Sequence, residues 1–313
     1  MIDSLPNTAI LADFLATTMR LAVPILFAAL GGIVAERSGV YNIALEGLML
    51  TGAFGAAVGA YLTGSPLGGL ATGIAFAVLL AGGLGILSVT LGVNQIVAGI
   101  AINLLALGLT AFLARLVFGS DTNATLPGFR PLPIPVLSEI PVVGPALFAQ
   151  GPLVYLMYLL VAGLALALFR TPVGLQIRAT GENPAAADTA GVPVFLVRHL
   201  CLLASGALAG LGGCYLVLSQ VHLFTEHMSA GKGFIALAAI ILGRWSPVGA
   251  LFACLFFGFC DALQLRLQFA NPQVPYQAFV ILPYAASIVA LVGLYGRFRP
   301  PAAVGLPYRR EQR

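Results

Sequence analysis

The chain has 313 residues, 59% of them hydrophobic and only 8% charged, with a mean hydropathy of +0.99. A soluble domain carries about a quarter charged residues, so a soluble enzyme or carrier is excluded. The net charge of +4 comes from 15 Lys and Arg scattered among loops rather than stacked on one face, which reports membrane topology and no nucleic-acid partner.

Residues 47–114 hold no charge at all, far more than the roughly 20 residues of one bilayer crossing, so several crossings lie there. The opening stretch MIDSLPNTAILADF lacks the basic region of a cleaved leader, and the first crossing, Ile10 to Ala35, is read as retained. A break at Gly39 and Asn42 precedes a second crossing, Ile43 to Leu62. The third runs from Leu67 to about Leu91 and the fourth from Ile96 to Phe118. Residues 119–151, with Pro at 127, 131, 133, 135, 141 and 145, form a loop too broken to span, although Val142 to Phe148 are apolar enough to dip into the interface. A fifth crossing, Pro152 to Phe169, leads to the polar segment 170–199. The sixth is Leu200 to Leu218, the seventh the short Phe234 to Leu242, the eighth Pro247 to about Leu265, and the ninth Gln277 to Tyr295. The expectation is an all-α, single-domain bundle over residues 1–313 with about nine crossings.

The polar segment 170–199 holds a miniature helix with complete punctuation. Asn183 is placed to cap it, Pro184 takes the first helical position, Ala185, Ala186, Ala187, Asp188, Thr189 and Ala190 form the body, and Gly191 and Pro193 end it. A free helix of two turns is marginal in water and needs packing to persist. Its alanine surface lets another backbone approach closely, which suits the groove of a soluble partner; the plain alternative is an ordinary capped helix in a loop.

Lys and Arg concentrate in cytoplasmic loops. With nine crossings and segment 170–199 inside, the inner side receives Arg37, Arg170, Arg178, Arg198, Arg244, Arg297, Arg299, Arg309, Arg310 and Arg313. The outer side keeps Arg20, Arg115, Arg130, Lys232 and Arg266. This bias predicts an outside N-terminus, an inside C-terminus and an extracytoplasmic Pro-rich loop.

Ionisable and amide groups at membrane depth are costly, and so informative. Glu46, just after the Gly39 and Asn42 break, either faces a water-filled path or caps the second helix at the interface. Asn94 and Gln95 start the fourth crossing, where Asn94 also suits a cap, and Asn103 lies two turns deeper, as a path residue or as interhelical glue. The candidate translocation path is therefore Asn42, Glu46, Asn94, Gln95 and Asn103. Small-residue faces, Gly55 with Gly59 and Ser205, Gly206, Ala209, Gly210 and Gly213, suit either internal packing or a dimer.

No enzyme constellation is present. Gly231-Lys232 is followed by Gly233 and lacks the preceding glycine of a phosphate loop, so no nucleotide cradle is expected. His222, Glu226 and His227 read as a solvated turn rather than a metal site, and Asp261 as a solvated or paired acid. Cys201, Cys214, Cys254 and Cys260 all lie in apolar stretches and read as small buried hydrophobes.

Motifs spread over nearly the whole chain point further: ERSGVYNIALEG at 36–47, NQIVAG at 94–99, GENP at 181–184 with Ala186, Ala187, Gly191 and Val192, GKGFIALA at 231–238 and LGRWSP at 242–247. In this order they resemble the permease subunits of ATP-binding cassette (ABC) importers of the branched-chain amino acid, ribose and nucleoside group, within its simple sugar and nucleoside branch. The resemblance implies a type II-like importer fold in a bacterial inner membrane. It implies that Glu182, Asn183, Pro184, Ala185, Ala186, Ala187, Asp188 and Gly191 form the coupling helix docked in an ATPase. It also implies a second permease subunit, commonly a different chain, and an extracytoplasmic solute-binding protein. The permease itself would hold no cofactor, with ATP and Mg on the partner ATPases. The alternative is an ion-coupled carrier or channel for a small polar solute with Glu46 as proton relay.

Overall fold

The structure is a computed structural model describing residues 7–119, 125–270, 273–293 and 299–309. Among these residues the long elements are all helices: α1 (Asn7–Arg37), α2 (Leu45–Thr63), α3 (Pro66–Gly85), α4 (Gln95–Phe118), α5 (Pro152–Arg170), α6 (Pro172–Glu182), α7 (Pro184–Thr189), α8 (Val194–Tyr215), α9 (Lys232–Leu242), α10 (Pro247–Ala270) and α11 (Tyr276–Gly293). π-helical turns at Ile86–Thr90 and Leu216–Val221 lengthen α3 and α8. Seven of these helices, α1 to α5, α8 and α10, are long and apolar enough to cross a bilayer. The difference from the nine expected lies in α9, whose 11 residues rise only about 16 Å, and in the 18-residue α11.

The centre of the bundle is α1. It is apolar around its whole circumference, and 89% of its membrane window is buried against 28% for the peripheral α4. Helices α8, α9 and α10 pack around it, and α2 and α3 close the bundle against α8. Glycine sets the closest approaches. An added Cβ at Gly52 would lie 2.5 Å from the Gly210 Cα, and one at Gly213 would lie 1.9 Å from the Met49 oxygen. Gly206 sits against Ala77 and Ala81, and Gly55 against Gly73, so the small-residue stripes serve packing within the chain. The four cysteines are free and buried among these helices.

The bundle has two distinct ends. At one, Arg37 donates to the Trp245 carbonyl at 2.9 Å, and Arg37 and Arg178 both stand over the Phe169 ring. The same end holds α6, α7 and residues 299–309, because the Ala303 N–H donates to the Gly181 carbonyl at 2.8 Å. This is the α7 face. At the other end the segment 125–151 is strapped down by Leu126 donating to the His222 carbonyl and Phe129 to that of Leu218. Residues 144–148, a single π-helical turn, share a hollow with Leu15 and Met19 near the start of α1. Arg115 and Glu226 pair at this end at 2.8 Å, a hydrogen bond that holds the Glu226 carboxyl below the usual carboxylate range. Asn7 and residues 299–309 therefore lie on opposite faces. Arg297, Arg310 and Arg313, counted with the inner charges, fall outside the described residues.

Two expectations need correction. The sixth crossing begins at Val194 rather than Leu200, and Arg198, counted as a loop charge, is 2% exposed inside it. Its guanidinium reaches the carbonyls of Ser38 at 3.3 Å and Leu306 at 3.1 Å, acceptors that come from distant parts of the chain. Segment 170–199 also contains a second helix, α6, capped by Thr171, whose hydroxyl accepts from the Gly174 N–H at 3.1 Å. The Thr171-Pro172 pair is the sequence signal for it.

Candidate functional site

Helix α7 matches its sequence punctuation. Asn183 is extended at φ −149° and ψ 91°, and its side chain accepts from the Ala186 N–H at 3.0 Å. Pro184 follows at the first helical position, where no N–H is needed. The helix ends at Ala190, and Gly191, at φ +87°, turns the chain toward α8. Ala187 is buried, while Ala185, Ala186, Thr189 and Ala190 are exposed, so one alanine holds the helix to the body and the others present a smooth surface. Its mounting is rigid. A Cβ at Gly181 would lie 2.2 Å from the Arg37 carbonyl, which fixes the end of α6 directly on the end of α1. The Glu182 carboxylate accepts from the Ala302 N–H at 3.3 Å, adding the chain's own C-terminal segment to the mount.

The second constellation lies inside the bundle. After α1 the chain turns at Gly39 and re-enters as a non-helical stretch, so that α2 starts well below the α7 face. Asn103, eight residues into α4 and so about 12 Å along it, reaches this start. Its Nδ2 donates to the Ile43 carbonyl at 3.0 Å and its Oδ1 accepts from the Gly47 N–H at 2.7 Å. Asn42 is fully buried; it donates to the Ser205 hydroxyl at 2.8 Å and accepts from the Ala44 N–H at 3.0 Å. Gln95, also buried, accepts from the Tyr41 N–H at 2.6 Å, while its Nε2 has no hydrogen-bond partner. Asn94 caps α4, accepting from the Ile96 and Val97 N–H groups.

Glu46 then joins the start of α2 to the start of α9. Its Oε1 accepts from the Ser229 hydroxyl at 2.6 Å and the Gly231 N–H at 2.8 Å, and its Oε2 from the Gly233 N–H at 2.7 Å. A carboxylate here satisfies the orphan donors of a buried helix start and faces its positive dipole end. Only glycine fits at 233, where a Cβ would lie 2.4 Å from the Glu46 nitrogen. The far end of α9 is held by Glu36, whose buried carboxylate accepts the Trp245 indole N–H. Thus the motifs at 36–47 and 231–247 meet as two latches on one short helix. Lys232, counted with the outer loops, is the half-buried first residue of that helix, next to Gly233, whose N–H the Glu46 carboxylate accepts. Among the described residues no three His, Cys, Asp or Glu side chains are grouped to hold a metal.

An all-helical bundle of long apolar helices, with an exposed capped knob at one face and interrupted helices meeting inside, places the chain in the class of multi-pass membrane proteins. The chain belongs to the family described as branched-chain amino acid transport system / permease component, which matches residues 14–298. It is similar to the guanosine ABC transporter permease protein NupQ of Bacillus subtilis, 39% identical over 97% of this chain and 98% of that protein. The putative glucose ABC transporter permease protein TsgC13 of Haloferax volcanii is 38% identical over 82% of this chain and 78% of its own length. The nucleoside ABC transporter permease protein NupC of Lactococcus lactis is 34% identical over 94% and 95%. No solved structure gives a significant match. The chain is thus a multi-pass permease subunit of an ABC transport system, not an enzyme.

Proposed function

We propose that this permease serves an ATP-driven importer for a nucleoside or a simple sugar-like solute, with α7 as the helix that docks in a partner ATPase. The observation that carries the reading is the exposed alanine surface of α7, mounted through Gly181 and Glu182 on the end of α1. The names of the relatives, which specify guanosine, nucleoside and glucose transport, support the solute class.

In this reading two ATPase subunits hold ATP and Mg, the second permease is a different chain, and an extracytoplasmic binding protein delivers the solute. The α7 face is cytoplasmic, with the N-terminus outside a bacterial inner membrane, which agrees with the gathering of Arg37, Arg178, Arg198 and Arg244 near that face. ATP binding closes the ATPases and displaces α7, and α6 passes that movement to α1 through the Gly181 contact. Asn42, Asn94, Gln95 and Asn103 frame the solute path by fixing the starts of α2 and α4, and Glu46 carries the frame across to α9.

Ala186→Asp places a charge on the exposed docking surface without touching the bundle core. In the reconstituted complex, guanosine uptake should fall at least tenfold, and ATP hydrolysis should lose its response to the loaded binding protein. Uptake at the wild-type rate would sink the docking assignment.

A further inference from the structure

A cavity of about 240 Å³ opens between α1, α9, α10 and α11, and among the described residues its polar lining is Lys232, Asp261 and Gln264. Asp261 is the fifteenth residue of the 24-residue α10, which starts beside Trp245 at the α7 face, so it lies about 21 Å along a helix about 36 Å long. Lys232 opens α9 at the level of Glu46. Lys232 and Asp261 therefore sit near mid-depth, where an ionisable side chain is costly and marks a path or site, and Gln264 lies one turn beyond Asp261.

None of the three side chains makes a hydrogen bond or an ion pair among the described residues. Glu46 is different, since its carboxylate is fully engaged in holding α9. An ammonium and a carboxylate that face one cavity at mid-depth attract each other, yet among the described residues these two line the cavity without closing into an ion pair. Helix positions keep them apart: Lys232 is anchored by the Glu46 latch on its own turn, and Asp261 by the packing of α10 on α1, where Gly258 lies against Thr18 and Ala22. The arrangement suits a guest that bridges them.

We propose that this cavity is a solute-binding site of the permease and that its guest is an uncharged, hydroxyl-bearing ring, the pentose or hexose part of the solute. Hydroxyls donate to Asp261 and to the Gln264 oxygen and accept from Lys232 and the Gln264 amide, which matches the lining group for group. Leu21, Ile235 and Pro283 supply an apolar wall for a ring face. One positive and one negative group leave no net charge for a phosphate or an ammonium guest to neutralise, so nucleotides are rejected. The proposal names the guest within the importer reading above and rests on it for direction of transport, not for the site.

The test uses the whole transporter in proteoliposomes carrying Gln264→Cys, against the background of four buried native cysteines. A membrane-impermeant methanethiosulfonate should modify the new thiol, and saturating guanosine, ribose or glucose should slow that reaction at least fivefold, whereas guanosine monophosphate should not. Asp261→Asn and Lys232→Met should each lower guanosine uptake at least tenfold in complexes that still contain their ATPases. Absence of labelling, labelling indifferent to every probe, or wild-type uptake by both variants would overturn the site. If either charge variant fails to fold, the labelling result decides. Protection of the thiol in a complex whose uptake ignores Ala186→Asp would remove the docking assignment and leave the cavity standing; the reverse pattern would remove only the cavity.

Discussion

Glu46 shows how one side chain settles between roles that its residue type leaves open. Facing three donors from residues 229–233, it is a cap supplied from another helix, and its removal strands Gly231 and Gly233 N–H groups in a part-buried site. Glu46→Ala should lower the stability of the detergent-solubilised protein by roughly 3 kcal/mol, and Glu46→Gln, which keeps one acceptor oxygen, by about half as much. Thermal unfolding measures both. A Glu46→Gln protein of wild-type stability that transports nothing would instead favour proton relay. Asn103 follows the same logic, because both ends of its amide serve the α2 start, giving an interhelical strap at the position the sequence marks as either glue or path.

Among the elements, α2, α3 and α8 depend on backbone contact more than on side-chain bulk. Gly213 makes the tightest approach to a backbone, with no room for a Cβ against the Met49 carbonyl, and Gly213→Ala forces the two helices apart. Such overpacking costs about 1–3 kcal/mol, so a clear fall in melting temperature is expected for Gly213→Ala. Gly83→Ala, with open space around the new methyl, should leave it unchanged; equal values for the two variants would contradict the packing described. Helix α9 has the opposite character. It is short, bounded by positive-φ residues at Ala230 and Gly231 on one side and Arg244 and Trp245 on the other, and held at its two ends by Glu46 and Glu36. Its position is set by latches instead of length.

At the scale of the molecule, residues 299–309 return to the α7 face and lie across Gly39, Gly181 and Arg198. This segment supplies the Leu306 carbonyl to a buried guanidinium whose Nη2 already lacks a partner. Deleting residues 301–313 should therefore destabilise the protein by about 2 kcal/mol, the scale of a lost hydrogen bond to a buried charge. It should also make the α6–α7 region more open to limited proteolysis. A truncated protein with unchanged melting and cleavage would show that the segment merely rests there.

The sequence alone determined the membrane class, the order of the long crossings and the capped form of α7. Those signals are local: a hydropathy window, an Asn-Pro start and a Gly stop are each complete within a few neighbouring residues. It also offered a cap as one of two roles for Asn94, the role the structure shows, and its ordered motifs pointed to the family. Only the tertiary structure decided what the isolated polar residues do. Glu46 meets a backbone N–H 185 positions away, and Arg198 meets a carbonyl 160 positions away. The bare charge of Lys232 and Asp261 gave no sign that they share a cavity. The physical reason is that in an apolar bundle a lone polar group must take whatever partner helix packing brings to it, and no spacing along the chain records which one that is.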